Sequence, residues 1–416
     1  MNKKNLNIWF WLFLFQTVSF ASGGSLYTRY GVGDVFHYFT ARNMSLGGGG
    51  YSLLATPDNF SPINPASWSS IKFTQFNIGI IYDGMKLSNN TENVFYSTTK
   101  FSGFNLGFPL DKDLGLSMVM GLMPVSNVEY EVDNVLANQI VGSPKFSYVG
   151  DGSINKVYLG FSYKLPYDFR IGGTFEYYTG DITYSSTMTF DNTSTFSNAT
   201  FKKELSYRGI GSTVGLISGD ISKLFDNSII SNWRLGLTFV ISPNLNTDST
   251  ETSITKIGSN TTQSALVSTN LPVKIGIGTS FILNKNYLIL VDYIFQPWSK
   301  FTFNNVADNN LRNLTRFSLG FEYKNSGASR TGFWEQIKFR GGLSYEQTQY
   351  RILGEDINEY GIYGGFSIPI GPLSNLDVGI SYGVRGTKNL NLIQENFIKT
   401  SVSISFGELW FIRRER

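Results

Sequence analysis

The chain has 416 residues, no Cys, one His, 15% aromatic and only 16% charged residues, against about 25% charged in an ordinary soluble domain. Its net charge of +3 is too balanced to draw nucleic acid or an anionic surface. Without Cys there is no disulfide framework and no lipidated cysteine, and zinc lacks its usual ligands.

Lys3 and Lys4 precede an apolar run from Ile8 to Phe20, and Ser19-Phe20-Ala21 offers small residues where a signal peptidase reads. Residues 1–21 are therefore expected to be a cleavable signal peptide. The alternative, an uncleaved anchor, is disfavoured by the short run and the cleavage site. After Ala21 no apolar run approaches the ~20 residues of a spanning helix. Such an exported chain is either a soluble all-β protein or an outer-membrane barrel, and periodicity has to decide.

Residues 22–70 are irregular. The run Gly47-Gly48-Gly49-Gly50 disfavours regular structure and lacks the Lys-Ser/Thr of a phosphate loop. Thr56-Pro57-Asp58 and Ser61-Pro62 are turn chemistry. Tyr27, Tyr30, Val35, Phe36, Tyr38, Phe39, Met44 and Phe60 argue that the segment is packed rather than disordered. The only His, His37, lies in this irregular segment and no Cys exists, so no catalytic residues, metal site or cofactor are expected.

From Ile71 onward the pattern changes to strict alternation. Trp233, Leu235, Leu237, Phe239 and Ile241 stand against Arg234, Gly236, Thr238 and Val240, a period-2 strand signal. About fourteen such segments follow, near 72–86, 95–108, 113–130, 154–164, 168–182, 202–217, 233–246, 265–282, 287–301, 312–324, 335–350, 357–370, 375–386 and 395–408. Alternate joints are tight, as at Pro109–Lys112 and Leu283–Asn286. The opposite set includes polar loops at 131–153, 183–201 and 247–264. The joint 218–232 is longer, with a helical look around Ile221–Phe225. Short turns on one side and long loops on the other mark a transmembrane barrel, and a soluble sandwich has no reason for them. Trp233, Trp334 and Trp410 fit the periplasmic interface, and Trp298 the outer one.

The expected fold is all-β: a transmembrane antiparallel β-barrel of about 14 strands at 71–416, with an N-terminal plug at 22–70 inside it. A wall this wide cannot be filled by its own side chains, since about eight strands is the limit for that. The inward set of the later strands includes Arg234, Lys274, Asp292, Arg316, Glu322, Arg340, Glu346, Asp377 and Arg385. These either pair with one another and tether the plug, which is the favoured reading, or mark a substrate path. In the third strand Gly121, Met123 and Pro124 interrupt the alternation. Pro cannot donate to a ladder and belongs at a bulge or an unpaired edge, so this is either a strand end or a lateral opening from lumen to bilayer.

These parts resemble the FadL family of outer-membrane transporters for hydrophobic compounds. Asn64-Pro65-Ala66 sits where that family carries the same motif in its N-terminal hatch. Gly121-Leu122-Met123-Pro124 is similar to its kinked third strand, and Leu271-Pro272-Val273 through Trp298-Ser299-Lys300-Phe301 to its later strands. Leu26–Asp34, Gly47-Gly48 and Glu408-Leu409-Trp410-Phe411 look like the Bacteroidota branch. The resemblance implies a hatch-gated barrel through which long-chain fatty acids or other hydrophobic compounds diffuse passively towards a lateral opening. Expected partners are membrane lipid and a hydrophobic small molecule. A barrel subunit of a larger outer-membrane machine, bound to other outer-membrane proteins, is the runner-up. A polar-solute porin is third.

Overall fold

The computed structural model describes residues 24–135, 144–190, 197–225, 229–241, 243–264, 266–325 and 332–408. The expected signal peptide and Trp410 lie outside these residues. Fourteen antiparallel strands form the wall. They are β1 (Thr74–Ser88), β2 (Asn93–Asp111), β3 (Leu116–Val135), β4 (Lys145–Lys164), β5 (Arg170–Thr189) and β6 (Ala199–Ile217). Then come β7 (Ile230–Ile241, continued by Asn244–Thr255) and β8 (Gly258–Gln263, Val267–Asn270 and Lys274–Leu283). The last six are β9 (Tyr287–Gln296), β10 (Leu314–Tyr323), β11 (Lys338–Ile352), β12 (Glu355–Gly371), β13 (Ser374–Arg385) and β14 (Gln394–Glu408). β14 pairs back onto β1 from Thr74↔Glu408 to Ser88↔Gln394, which closes the ring and removes its edges. Among the described residues helix is confined to α1 (Ala41–Ser45) and short 3-10 turns.

Alternation decides which side chains face out. On β10, Phe317, Leu319 and Phe321 are exposed while Arg316, Ser318 and Glu322 are buried. On β7, Leu235, Leu237 and Phe239 are exposed against buried Arg234 and Thr238. An apolar outer band around a closed ring with a polar inner face suits a barrel that crosses a membrane.

The strand positions follow the alternation, but the three long polar loops are mostly strand. β3 runs on to Val135 and β4 starts at Lys145, β5 reaches Thr189, and 247–264 is the hairpin of Asn244–Thr255 and Gly258–Gln263. Ser, Thr, Asp and Lys dominate these segments, with apolar exceptions such as Val149 and Ile254, so no regular hydrophobic period announces them. β-branched cross-strand pairs such as Thr187–Thr200 support the pairing instead. Among the described residues, the joint before Ile230 carries the 3-10 turn Ile221–Leu224. Trp298 departs from its expected interfacial place. It is 3% exposed and packs on Phe301, because Pro297 ends the β9 strand and a 3-10 turn follows.

Candidate functional site

Residues 24–70 touch strands from all round the ring. Ala41 N–H donates to Ser403 of β14 (3.1 Å), Asn59 to Asp377 of β13 (3.1 Å), and Asn64 to the Leu216 carbonyl of β6 (3.3 Å). Gly50 and Tyr51 N–H both donate to the Asp292 carboxylate of β9, at 2.8 and 3.1 Å. Much of the inward charge is spent on this contact and on itself. Arg42 shares Glu322 with Arg340 (3.1 and 2.6 Å), and Arg340 also donates to Asp377 (2.9 Å). Arg316 and His37 meet at Glu346 (2.6 and 3.1 Å), and Arg385 holds Asp34 (2.8 Å) and Glu395. Lys338 pairs with Asp58. Burial alone would lift the Asp58 carboxyl, but the Lys338 ammonium and the Thr56 hydroxyl outweigh it and hold the group well below the ordinary carboxylate range.

Asn64, Pro65 and Ala66 are buried and act as one unit. Pro65 starts a 3-10 helix to Ser70, where its missing N–H costs nothing and its fixed φ fits. Asn64 caps that helix through Oδ1, which accepts from Ala66 N–H at 3.0 Å, while its Nδ2 donates to Tyr51 O at 2.6 Å. β5 and β6 approach this unit so closely that a Cβ at Gly172 would lie 2.4 Å from the Pro65 carbonyl carbon, and one at Gly215 2.0 Å from Asn64 Oδ1. Only glycine admits that approach.

The third-strand residues sit elsewhere. Pro124 lies opposite Asn155 at a bulge before Ser126, the position that a missing ladder donor tolerates. Gly121 backs onto Asn105 and Tyr158. β3 is not ended there; what ends is its pairing with β2, whose last rung is Phe104↔Leu122 although both strands continue. The N-terminal segment takes over the freed edge. Asp34 and Val35 pair with Asn127 and Ser126, Phe36 N–H donates to Val125 O (3.1 Å), and Thr28 Oγ1 bonds the backbone N–H and C=O of Glu129 (3.2 and 3.3 Å).

Behind that seam lies a cavity of about 80 Å³. Val32, Val35, Phe36, Phe39, Tyr51 and Ile63 line it from the N-terminal segment, with Met123, Pro124, Leu271 and Trp298 from the wall. Of the six residues singled out from the sequence, Met123 and Pro124 are in this lining, whereas Asn64, Pro65, Ala66 and Gly121 are not. Of the polar members of the lining, Lys274 belongs to the inward set read from the sequence, whereas Ser126 and Gln296 were missed. His37 Nδ1, Ser126 Oγ, Thr238 Oγ1, Gln296 Oε1 and Trp298 Nε1 are buried with no hydrogen-bond partner among the described residues. Lys274, also in the lining, has no hydrogen bond or ion pair among the described residues. Unpaired buried polar groups are rare, and several around one apolar cavity ask for a ligand with a polar end. The legible signal is proline: Pro124 is in the lining, and Pro272 and Pro297 follow or precede its members Leu271 and Trp298 in sequence.

The BamG family model matches residues 1–415. No curated protein matches the chain. Among solved structures it is similar to the P. putida toluene transporter TodX, at 15% identity over 91% of this chain and 100% of that one, with a TM-score of 0.60. It is also similar to a Pseudomonas aeruginosa FadL homologue (11% identity, 90% and 99% covered, TM-score 0.60). A third is the CymD monoaromatic hydrocarbon channel (14%, 89% and 98%, TM-score 0.58). At these identities the likeness is one of fold.

Proposed function

The chain belongs to the BamG family, and for this member we propose an outer-membrane channel that takes a hydrophobic compound into the cavity between the N-terminal segment and the wall. In this reading residues 1–21 are removed on export, residues 22–70 are the hatch, and residues 71–416 are the barrel. The observation that carries it is the apolar cavity with unpaired polar groups in its lining. The names of the fold's relatives, a toluene transporter and a monoaromatic hydrocarbon channel, support the compound class.

The polar side of the cavity favours an amphiphile over a pure hydrocarbon. Lys274 would meet an anionic head such as a fatty-acid carboxylate, with Gln296 and Thr238 beside it, while Phe36, Phe39 and Leu271 take the tail. The hatch is anchored by Asn64-Pro65-Ala66 on β5 and β6 and by Asp292 on β9. Exit would run past Gly121, Met123 and Pro124, where β2 and β3 part, once Thr28 to Phe36 leave the β3 edge. No energy source enters this scheme; the compound moves down its gradient.

Displacement of a fluorescent fatty acid from delipidated, detergent-solubilised protein tests the reading. Oleate and toluene should both compete. Lys274→Met should weaken oleate roughly 10- to 100-fold, the worth of one charged hydrogen bond, and leave toluene unchanged. Equal oleate affinity in the variant overturns the head-group assignment, and no competition by either compound overturns the channel.

A further inference from the structure

We propose that the outer rim carries a strand-addition site for an extended polypeptide segment of another protein, on the Gly258–Gln263 stretch of β8. Above the apolar band the upper parts of β3, β4, β5, β6, β7 and β8 continue as one open sheet. Within the band the ladder is continuous except where β2 and β3 part beyond Phe104↔Leu122. In this extension two edges are free among the described residues: β3 beyond Glu129, and Gly258–Gln263.

The two edges differ in how they are guarded. Natural proteins blunt an open edge with charge, proline or a bulge, because its unpaired N–H and C=O groups template another strand. The β3 edge carries Glu129, Glu131 and Asp133 at alternate positions, Glu129 held by Lys100 (2.8 Å) and Asp133 by Lys145 (2.9 Å). The other edge reads Gly-Ser-Asn-Thr-Thr-Gln, with every residue exposed, no charge and no proline. Its pairing to β7 runs without a register shift from Gly258↔Thr255 to Gln263↔Thr250. Apolar side chains stand at both ends of it: Ile257 at the hairpin tip is 100% exposed and Leu266 67%.

The chemistry selects the occupant. A lipid tail or headgroup cannot pair with a row of alternating backbone donors and acceptors, whereas an extended peptide can. The outward neighbours on β6, Lys202 and Glu204, are charged and lie opposite Thr252 and Thr250 of β7, so this stretch stands clear of the apolar band. A second copy is disfavoured by geometry. Two barrels in one membrane share their orientation, so their edges could meet only in parallel, the weaker of the two pairings. The partner is therefore a different chain, presenting an uncharged extended segment with an apolar side chain to cover Ile257 or Leu266. Strand addition already occurs within this protein, where Asp34–Val35 sits on the β3 edge.

The chain has no Cys, so single cysteines at Ser259, Asn260, Thr261 and Thr262 can each carry a benzophenone cross-linker in intact cells of the native host. The expected result is adducts from all four positions to consecutive residues of one partner segment. Thr261→Lys with Gln263→Lys, which guards the edge, should cut the adduct at least tenfold. Thr261→Val, which keeps it neutral, should not, and heat-modifiable gel mobility should report an intact barrel in both. Adducts confined to lipopolysaccharide or to a second copy overturn the proposal. So do scattered adducts with no common segment, no adducts, or adducts indifferent to the lysines.

Discussion

Gly172 and Gly173 are neighbours on β5 with opposite surroundings. A Cβ at Gly172 would meet the Pro65 carbonyl carbon at 2.4 Å, its oxygen at 2.5 Å and the Ala66 nitrogen at 2.7 Å. All three are backbone atoms, so no rotamer change relieves the clash and the 3-10 turn itself must move. At Gly173 the nearest atom is Thr213 O at 3.8 Å, ordinary contact. Overpacking a filled site costs about 1–3 kcal/mol. Charged against the seating of Asn64-Pro65-Ala66, that is roughly a 5- to 150-fold rise in the population with this unit displaced. Gly172→Ala should therefore raise uptake of large antibiotics and open events in planar bilayers, and expose the 61–70 segment to protease. Gly173→Ala should resemble the parent in all three assays. The reasoning fails if the two variants behave alike, or if Gly172→Ala changes barrel stability while leaving permeability unchanged.

Two other perturbations address the anchoring charges. Arg340→Met leaves the buried Glu322 and Asp377 carboxylates short of a partner, a loss of about 3–5 kcal/mol, which should lower the temperature at which the barrel band shifts on a gel. Asp58 is held below its ordinary range, so its contribution is complete above about pH 4, the unfolded carboxylate value, and is lost as pH falls through the folded one. Hydrogen exchange of residues 56–60 should accelerate on acidification. Lys338→Met should abolish that acid dependence and raise exchange at neutral pH; an unchanged profile would show that the pair does not hold this turn.

Period-2 alternation alone placed the fourteen wall strands, because each has one face on lipid and the other on a polar interior. The tight joints were legible for the same reason: proline, glycine and alternation act locally. The upper halves of β3 to β8 were not, since a strand with water on both sides needs no apolar period. Asn64-Pro65-Ala66 stood out as a motif, yet nothing in the sequence says that Gly172 and Gly215 are its seat, more than a hundred residues away. The inward charges could be enumerated but not paired. Arg42 with Glu322 and Asp34 with Arg385 are matched by the closure of the ring, which brings the first and last thirds of the chain together. The cavity is the furthest from sequence. Lys274, Thr238, Gln296 and His37 come from β8, β7, β9 and the N-terminal segment, and their missing partners are visible only once packing has removed the water that would otherwise satisfy them. For the stretch ending at Ser61–Ser70, sequence fixed a boundary between irregular and alternating chain. Only the tertiary structure decided what that boundary rests on: two glycine-lined strands and one buried carboxylate, Asp292, holding Gly50 and Tyr51 just upstream.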